Sequence, residues 1–140
     1  MKDWTLSPDP ARLQLDLIHA WLSGAYWSAG VRRDIVEHAF AHSIAVGAYG
    51  PDGEQVGVAR AVSDQATFAW LCDVFVAPGW RQRGIAGALV AALLADPRLQ
   101  TVRRWCLATR DAHQAYRPFG FAPVDANLWM EWRPDPARWR

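Results

Sequence analysis

From Leu71 to Leu94 the chain reads LCDVFVAPGWRQRGIAGALVAALL, and the rest is organised around this stretch. The apolar run Leu71 to Val76 ends at Ala77-Pro78-Gly79, which predicts a strand stopped by a turn. Beyond the turn Ile85, Leu89 and Leu93 recur every fourth residue, with Ala86, Val90 and Leu94 beside them, so residues 84 to 95 predict a helix with a broad apolar face. Between the two lies Arg81-Gln82-Arg83-Gly84-Ile85-Ala86, basic side chains mixed with small ones. The first amides of a helix have no intrahelical partner, and the dipole there is positive. With the backbone left bare, such an end holds a phosphate or pyrophosphate.

Two common phosphate motifs do not fit. No Lys-Ser or Lys-Thr follows Gly84 or Gly87, so the nucleotide pattern G-x-x-x-x-G-K-[ST] is missing. The dinucleotide pattern G-x-G-x-x-G fails at its second and third glycines, and the next strand brings no acidic residue for a ribose. What stands is Arg-x-x-Gly-x-Ala, spelled by Arg81, Gly84 and Ala86 directly after Val-x-Pro. This resembles the acyl-CoA pyrophosphate loop of the GNAT family of N-acetyltransferases. A second motif lies in residues 107 to 121, where Tyr116, Gly120 and Phe121 match the family's Y-x-x-x-G-F. Thr109, Asp111, Ala112 and His113, taken with the early stretch Ser23 to Trp27, resemble a small bacterial, single-domain branch.

Composition narrows the partners. At 140 residues, 51% of them apolar, the chain is long enough to bury a core and predicts one domain over residues 1–140. Fifteen basic and fourteen acidic residues give a net charge of +1, which supplies no global field for nucleic acid or anionic membrane. Cys72 and Cys106 each sit in an apolar run and read as buried free thiols in a cytoplasmic protein. No further Cys and no spaced His pair accompanies them, so no metal site is expected. The opening residues lack the apolar core of a signal peptide, and no run approaches a membrane span.

In chain order, Trp4 to Leu6 predicts a strand, Ala11 to Leu22 a helix, and Ala25 to Gly30 a loop. Val31 to Phe40 predicts a second helix, followed by strands at His42 to Tyr49, Gln55 to Val62 and Thr67 to Val76. Past the helix of residues 84 to 95, Asp96-Pro97 breaks the chain. Then come a strand from Val102 to Thr109, a short helix from Asp111 to Arg117 with Asp111 as N-cap, and two strands at residues 120–122 and 127–133. Strand-helix-strand over residues 71 to 109 implies a parallel pair inside a mixed sheet. This is an α+β fold in α/β/α layers and the element order of the GNAT fold. The resemblance implies six to seven strands with a V-shaped splay between two parallel central ones.

The resemblance also assigns roles. The main chain of Val74, Phe75 and Val76 would pair with the pantetheine arm of acetyl-CoA. Amides of Gln82, Arg83, Gly84, Ile85 and Ala86 would hold its pyrophosphate, assisted by Arg81. Tyr116 would stand near the thioester sulfur, and Asp73 would be the acid that anchors or activates the amine. Tyr26 and Trp27, between the first two helices, fall where the family builds its acceptor pocket. Asp73 also has a bland reading, a carboxylate satisfied by backbone amides or by an arginine such as Arg60. A catalytic part for His113 is the minor reading beside a helix-start histidine.

The chemistry asked of these groups has a size. A primary amine is neutral in only about one molecule in 2,500 at pH 7, a cost of about 4.6 kcal/mol. Tyr116 would donate to a leaving thiolate against roughly 2 kcal/mol. The expectation is an N-acetyltransferase acting by direct attack on acetyl-CoA, without metal, on a small-molecule or peptide amine. It needs neither nucleic acid nor membrane and is compatible with a homodimer. Two alternatives stay open: a non-catalytic acyl-CoA sensor, which would not need Tyr116, and a tryptophan-rich interaction module, which would have no affinity for CoA.

Overall fold

The computed structural model describes residues 2–140; Met1, at the head of the predicted N-terminal stretch, lies outside them. Five strands form one sheet in the order β1-β2-β3-β4-β5: Thr5–Ser7, Ile44–Tyr49, Gln55–Ser63, Phe68–Val76 and Arg104–Cys106. The first four pair antiparallel, and β4 and β5 run parallel, joined through helix α3 (Ile85–Leu94). Helices α1 (Leu15–Ser23) and α2 (Arg33–Ala41) precede β2, and the four-residue α4 (His113–Tyr116) follows β5.

The two faces of β3 explain the layers. Val58 packs with Ile18, Leu22, Val36 and Phe40 under α1 and α2, while its neighbours Ala59 and Ala61 pack with Ile85, Leu89 and Leu93 of α3. Adjacent strand residues point to opposite faces, so one β-rich segment serves both cores. Trp21 of α1 stacks on Phe75 of β4 with ring centroids 5.3 Å apart. On the other side α3 lies close: a Cβ on Gly57 would meet Ile85 Cγ2 and Leu89 Cδ1, each at 3.3 Å, so the helix seats itself against a residue without a side chain. Buried Gln55 is satisfied by the main chain: its side-chain oxygen accepts from Gln14 N at 2.8 Å, and its amide donates to Gly57 O.

The ladder between β3 and β4 slips once. Val58 faces Phe75 but Arg60 faces Cys72, which leaves one extra residue on β4. Asp73 takes up the slip with φ of 53°, a left-handed conformation that aspartate adopts more readily than most residues. Strict alternation would put Leu71, Asp73 and Phe75 on one face. The bulge separates them: Leu71 joins the α3 core and Phe75 the α1–α2 core.

The sheet is smaller than expected. β5 has only three residues, and its pairing with β4 stops at Trp70 and Cys106, so Leu71–Val76 continue without a β5 partner. Neither residues 120–122 nor 127–133 forms a strand. Pro123 has no N–H to give a ladder, and Asp125 turns the chain locally: its carboxylate accepts from Asn127 N at 2.9 Å and its carbonyl from Leu128 N at 3.0 Å. Leu128, Met130 and Trp132, which alternate as a strand would, are left exposed. The predicted first helix is also divided, because Pro10–Arg12 form a separate 3-10 turn ahead of α1. Among the described residues no helix is long and apolar enough to cross a membrane.

Candidate active site

The free end of β4 and the loops around it enclose a cavity of about 430 Å³. Its lining includes Tyr26, Trp27, Asp73 and Tyr116, four residues the sequence singles out, and the folding of β4, the α1–α2 connection and α4 brings them together. Tyr26–Ser28 is a turn of 3-10 helix rather than an irregular loop, and it holds the two aromatic rings edge to face, 5.1 Å apart.

Each of these rings is tied to a different wall. Tyr26 Oη accepts a hydrogen bond from Arg110 N at 3.0 Å, and the Arg110 guanidinium lies 3.9 Å from the Tyr26 ring centroid. Trp27 Nε1 donates to Asp73 Oδ1 at 3.0 Å. The second oxygen of Asp73 accepts from Arg60 Nε at 2.8 Å, and Arg60 in turn donates to Ser43 Oγ at 3.0 Å. Both carboxylate oxygens of Asp73 are therefore engaged, in a pair whose side chains are only 9% and 16% exposed. The signal for Arg60 was available: it is the one charged residue in the run Val56 to Val62, and a charge inside an apolar strand needs a partner.

Tyr116 lies at the border of two cavities. It lines the first and also a second of about 500 Å³, walled by Trp70, Trp105, Phe121 and Trp129, with His113 and Glu131 at its edge. Its ring meets Phe121 in a T-shape with centroids 6.1 Å apart. Burial, then the nearby Tyr26, pushes its phenol above the ordinary tyrosine value. Cys72, on the cavity wall, is driven up to about 12, above all by burial. It stays a neutral thiol at physiological pH and is a poor nucleophile.

The basic loop takes the shape of an anion cradle. Gln82 and Gly84 both have positive φ, 63° and 83°, and no side chain caps α3. The first main-chain bond there runs from Ala88 N to Gly84 O, so the amides of Gly84, Ile85 and Ala86 have no carbonyl partner. A Cβ on Gly84 would find no atom within 4 Å, so the approach is open. Successive amides in alternating left- and right-handed conformations form a concave donor surface. Of the arginines beside it, Arg81 donates Nε to Val76 O at 3.0 Å, and Arg83 makes an exposed pair with Asp3 at 2.8 Å.

Asp111 departs from expectation. It does not cap α4; Ala112 occupies that position without a side-chain bond, and Ala112 N donates to Thr109 Oγ1 at 3.1 Å. Asp111 lines the first cavity instead, whereas His113 lines the second. Among the described residues, no three His, Cys, Asp or Glu side chains gather in a metal-binding group.

Comparison with known proteins agrees with this architecture. Residues 40–123 match the acetyltransferase (GNAT) domain. A Gibberella zeae protein whose name assigns it to the acetyltransferases is 35% identical over 132 residues, 78% of this chain and 73% of its own. A Xanthomonas campestris structure assigned to the GNAT acetyltransferases is 42% identical with a TM-score of 0.90, covering 97% of this chain and 96% of that one. An Elizabethkingia anophelis GNAT acetyltransferase, solved with acetyl-CoA bound, shares the fold at 16% identity and a TM-score of 0.67, over 89% of this chain and 80% of that one. The chain belongs to the GNAT acetyltransferase family.

Proposed function

We propose that this protein transfers the acetyl group of acetyl-CoA to a primary amine by direct attack within a ternary complex. The observation that carries the reading is the bare, uncapped start of α3 at Gly84, next in sequence to a β4 edge that β5 leaves free. Amides from Gln82 to Ala86 suit the pyrophosphate, and the main chain of Val74, Phe75 and Val76 suits the pantetheine in a splay between β4 and β5. The Val76 carbonyl already accepts from Arg81, so its amide is the group left for such pairing or for the sheet. Arg81 fixes the base of the loop through Nε, and its terminal guanidinium nitrogens, which make no hydrogen bond among the described residues, are left to assist at the phosphate.

Bound there, acetyl-CoA supplies an activated acyl carbon: the C–N bond forms, the C–S bond breaks, and the thiolate takes up a proton. An arriving ammonium must first lose a proton to solvent, so the products are the amide, the free thiol and one proton. Tyr116 is the proton donor to the leaving sulfur. Its raised pKa keeps the hydroxyl protonated at any physiological pH and makes donation more uphill than for a free tyrosine, so transfer must accompany cleavage. A main-chain amide on the free edge of β4 is the simplest donor to the carbonyl oxygen. Cys72, held as a neutral thiol by burial, is a poor nucleophile, which is in keeping with direct attack.

Each oxygen of Asp73 already accepts one bond, and the part we assign it is positioning: it holds Trp27 in the acceptor wall and neutralises Arg60. The reading is tested by melting the protein with and without acetyl-CoA, then following thiol release with an amine panel. Stabilisation with turnover supports it. Stabilisation without turnover on any amine points to an acyl-CoA sensor, and no stabilisation by millimolar acyl-CoA removes it.

A further inference from the structure

We propose that residues 135–140 are part of the acceptor chamber, a clasp that holds its aromatic wall in place, with Trp139 as the positioning residue; this rests on the amine-acetylation reading above. The wall has little support of its own. Tyr26–Ser28 is a single 3-10 turn, and Tyr26 and Trp27 are 46% and 40% exposed. So short a turn has marginal stability, and its place is set by what ties the chain on either side. On the α1 side Ser28 Oγ donates to Leu22 O at 2.6 Å. On the α2 side the chain passes through Gly30, at φ of 79°, and Arg32 opens α2 with no side-chain cap.

The partners on that second side come from far along the sequence. Arg32 N donates to Trp139 O at 2.9 Å, Arg32 Nη1 to Arg138 O at 3.1 Å, and Arg140 Nε to Ala29 O at 2.9 Å. All three bonds close on residues 29–32, directly after the turn. The clasp is stiff because it is built on its own capped turn. Asp135 accepts from Ala137 N at 2.9 Å, Pro136 follows it at the first helical position, and Trp139 N and Arg140 N both donate to Pro136 O. The Arg140 guanidinium lies 5.2 Å from the Trp139 ring centroid.

Trp139 also reaches the chamber by packing. Half-buried, it packs against the cluster of Ile18, Leu22, Val31, Val36 and Phe40, and all of these but Ile18 line the first cavity. Arg133 lines the same cavity, so the chain from 133 to 140 runs from the cavity lining to the rim that carries Tyr26 and Trp27. An acceptor seated on these rings is held only as well as the rings are, and a small displacement of a positioning wall is costly. Among the described residues the clasp makes no hydrogen bond to residues 81–86, so acetyl-CoA binding should not depend on it.

The test compares the parent with Trp139→Ala and Trp139→Phe, well below the melting point of each. Cys72 lines the first cavity and Cys106 the second. Alkylation by N-ethylmaleimide, read cysteine by cysteine by mass spectrometry, therefore separates opening of this chamber from general unfolding. Trp139→Ala should raise the Cys72 rate by at least about fivefold and leave that of Cys106 unchanged. With whichever of 2-phenylethylamine, phenylalanine and spermidine turns over fastest, the amine KM should rise about tenfold, with kcat within about threefold and the acetyl-CoA melting shift unchanged. Trp139→Phe, which keeps a ring, should recover most of both effects. A Cys72 rate that rises no more than that of Cys106, or an amine KM within about threefold of the parent's, would overturn the inference, since a merely structural tryptophan lowers the melting point without moving either. Where none of the three amines turns over, the labelling alone decides. If Trp139→Ala does not fold, Arg140→Ala, at an exposed side chain, removes the bond to Ala29 and carries the same comparison. Absence of any acetyl-CoA shift in the parent would instead remove the amine-acetylation reading and the acceptor role with it, while the labelling still shows whether the clasp holds the wall.

Discussion

Arg60 Nε donates to Asp73 Oδ2 at 2.8 Å across the point where the β3–β4 ladder slips, so the ion pair and the bulge occupy one place. Without the extra residue Asp73 would share a face with Leu71 in the α3 core. The bulge turns it toward Arg60, and its other oxygen then takes the indole N–H of Trp27. A backbone irregularity thus decides which side chains form the acceptor wall.

Breaking this pair should be felt first as lost stability. Asp73→Asn removes the charge that compensates a mostly buried guanidinium, at a cost of about 1–3 kcal/mol and several degrees of melting temperature. In a double-mutant cycle with Arg60→Met, the two changes together should cost less than their sum by more than about 0.5 kcal/mol. Additivity within that margin would mean the pair contributes nothing that its members do not supply separately.

Gly84 gives the second prediction. Acetyl-CoA at a hundredfold excess over its dissociation constant should stabilise the parent by about 2.7 kcal/mol. Gly84→Glu should abolish the rise in melting temperature, since its carboxylate would stand at the cradle and repel a pyrophosphate. Gly84→Ala meets no atom within 4 Å, so its effect should be confined to the strain of φ at +83°, about 1–2 kcal/mol on the folded protein, with much of the ligand shift kept. A normal shift in the glutamate variant would place the cofactor elsewhere.

How much of this was legible depended on whether short-range pattern or long-range pairing set the outcome. The β4–turn–α3 unit is local: apolar spacing, Pro78 and Gly84 suffice to read it. Tyr26, Trp27 and Tyr116 were placed at the site because the family resemblance carried them there, and the structure brings them to one cavity. The bulge at Asp73 was not legible, because Leu71, Asp73 and Phe75 alternate in sequence and only the register against β3 breaks them apart. Asp111 looked like a cap because it precedes a helix; Thr109, two residues earlier, makes the nearby bond instead. Residues 127–133 have strand-like alternation, yet Pro123 and the Asp125 turn keep them off the β5 edge.

The Ser63–Phe68 turn offers a prediction about acid. Asp64 accepts from Ala66 N, Thr67 N, Phe68 N and Thr67 Oγ1, and these bonds, led by the threonine hydroxyl, hold its pKa well below the usual carboxylate range. A carboxyl whose folded pKa is depressed adds stability above its unfolded pKa, near ~3.9, and loses it as pH falls toward the folded value. Asp64→Asn should therefore melt below the parent at pH 6, with the difference shrinking as pH drops below about 4. A gap that stays constant across that range would show that the bonds stabilise the turn without favouring the charged form.

The last prediction concerns the hydroxyl of Tyr116. Tyr116→Phe keeps the ring and its T-shaped contact with Phe121, and no hydrogen bond from that hydroxyl to the protein is lost, so the melting temperature and the acetyl-CoA shift should stay close to the parent's. If the hydroxyl protonates the departing thiolate, turnover should fall by roughly 10²–10⁴-fold. Burial raises the Tyr116 pKa, so the group stays protonated through neutral pH and adds no falling limb there. The parent's kcat/KM should accordingly climb with pH as the free-amine fraction grows, and the variant should follow the same slope from a lower level. Turnover within about threefold of the parent, at matched acetyl-CoA affinity, would assign the proton to water and leave Tyr116 as a wall between the two cavities.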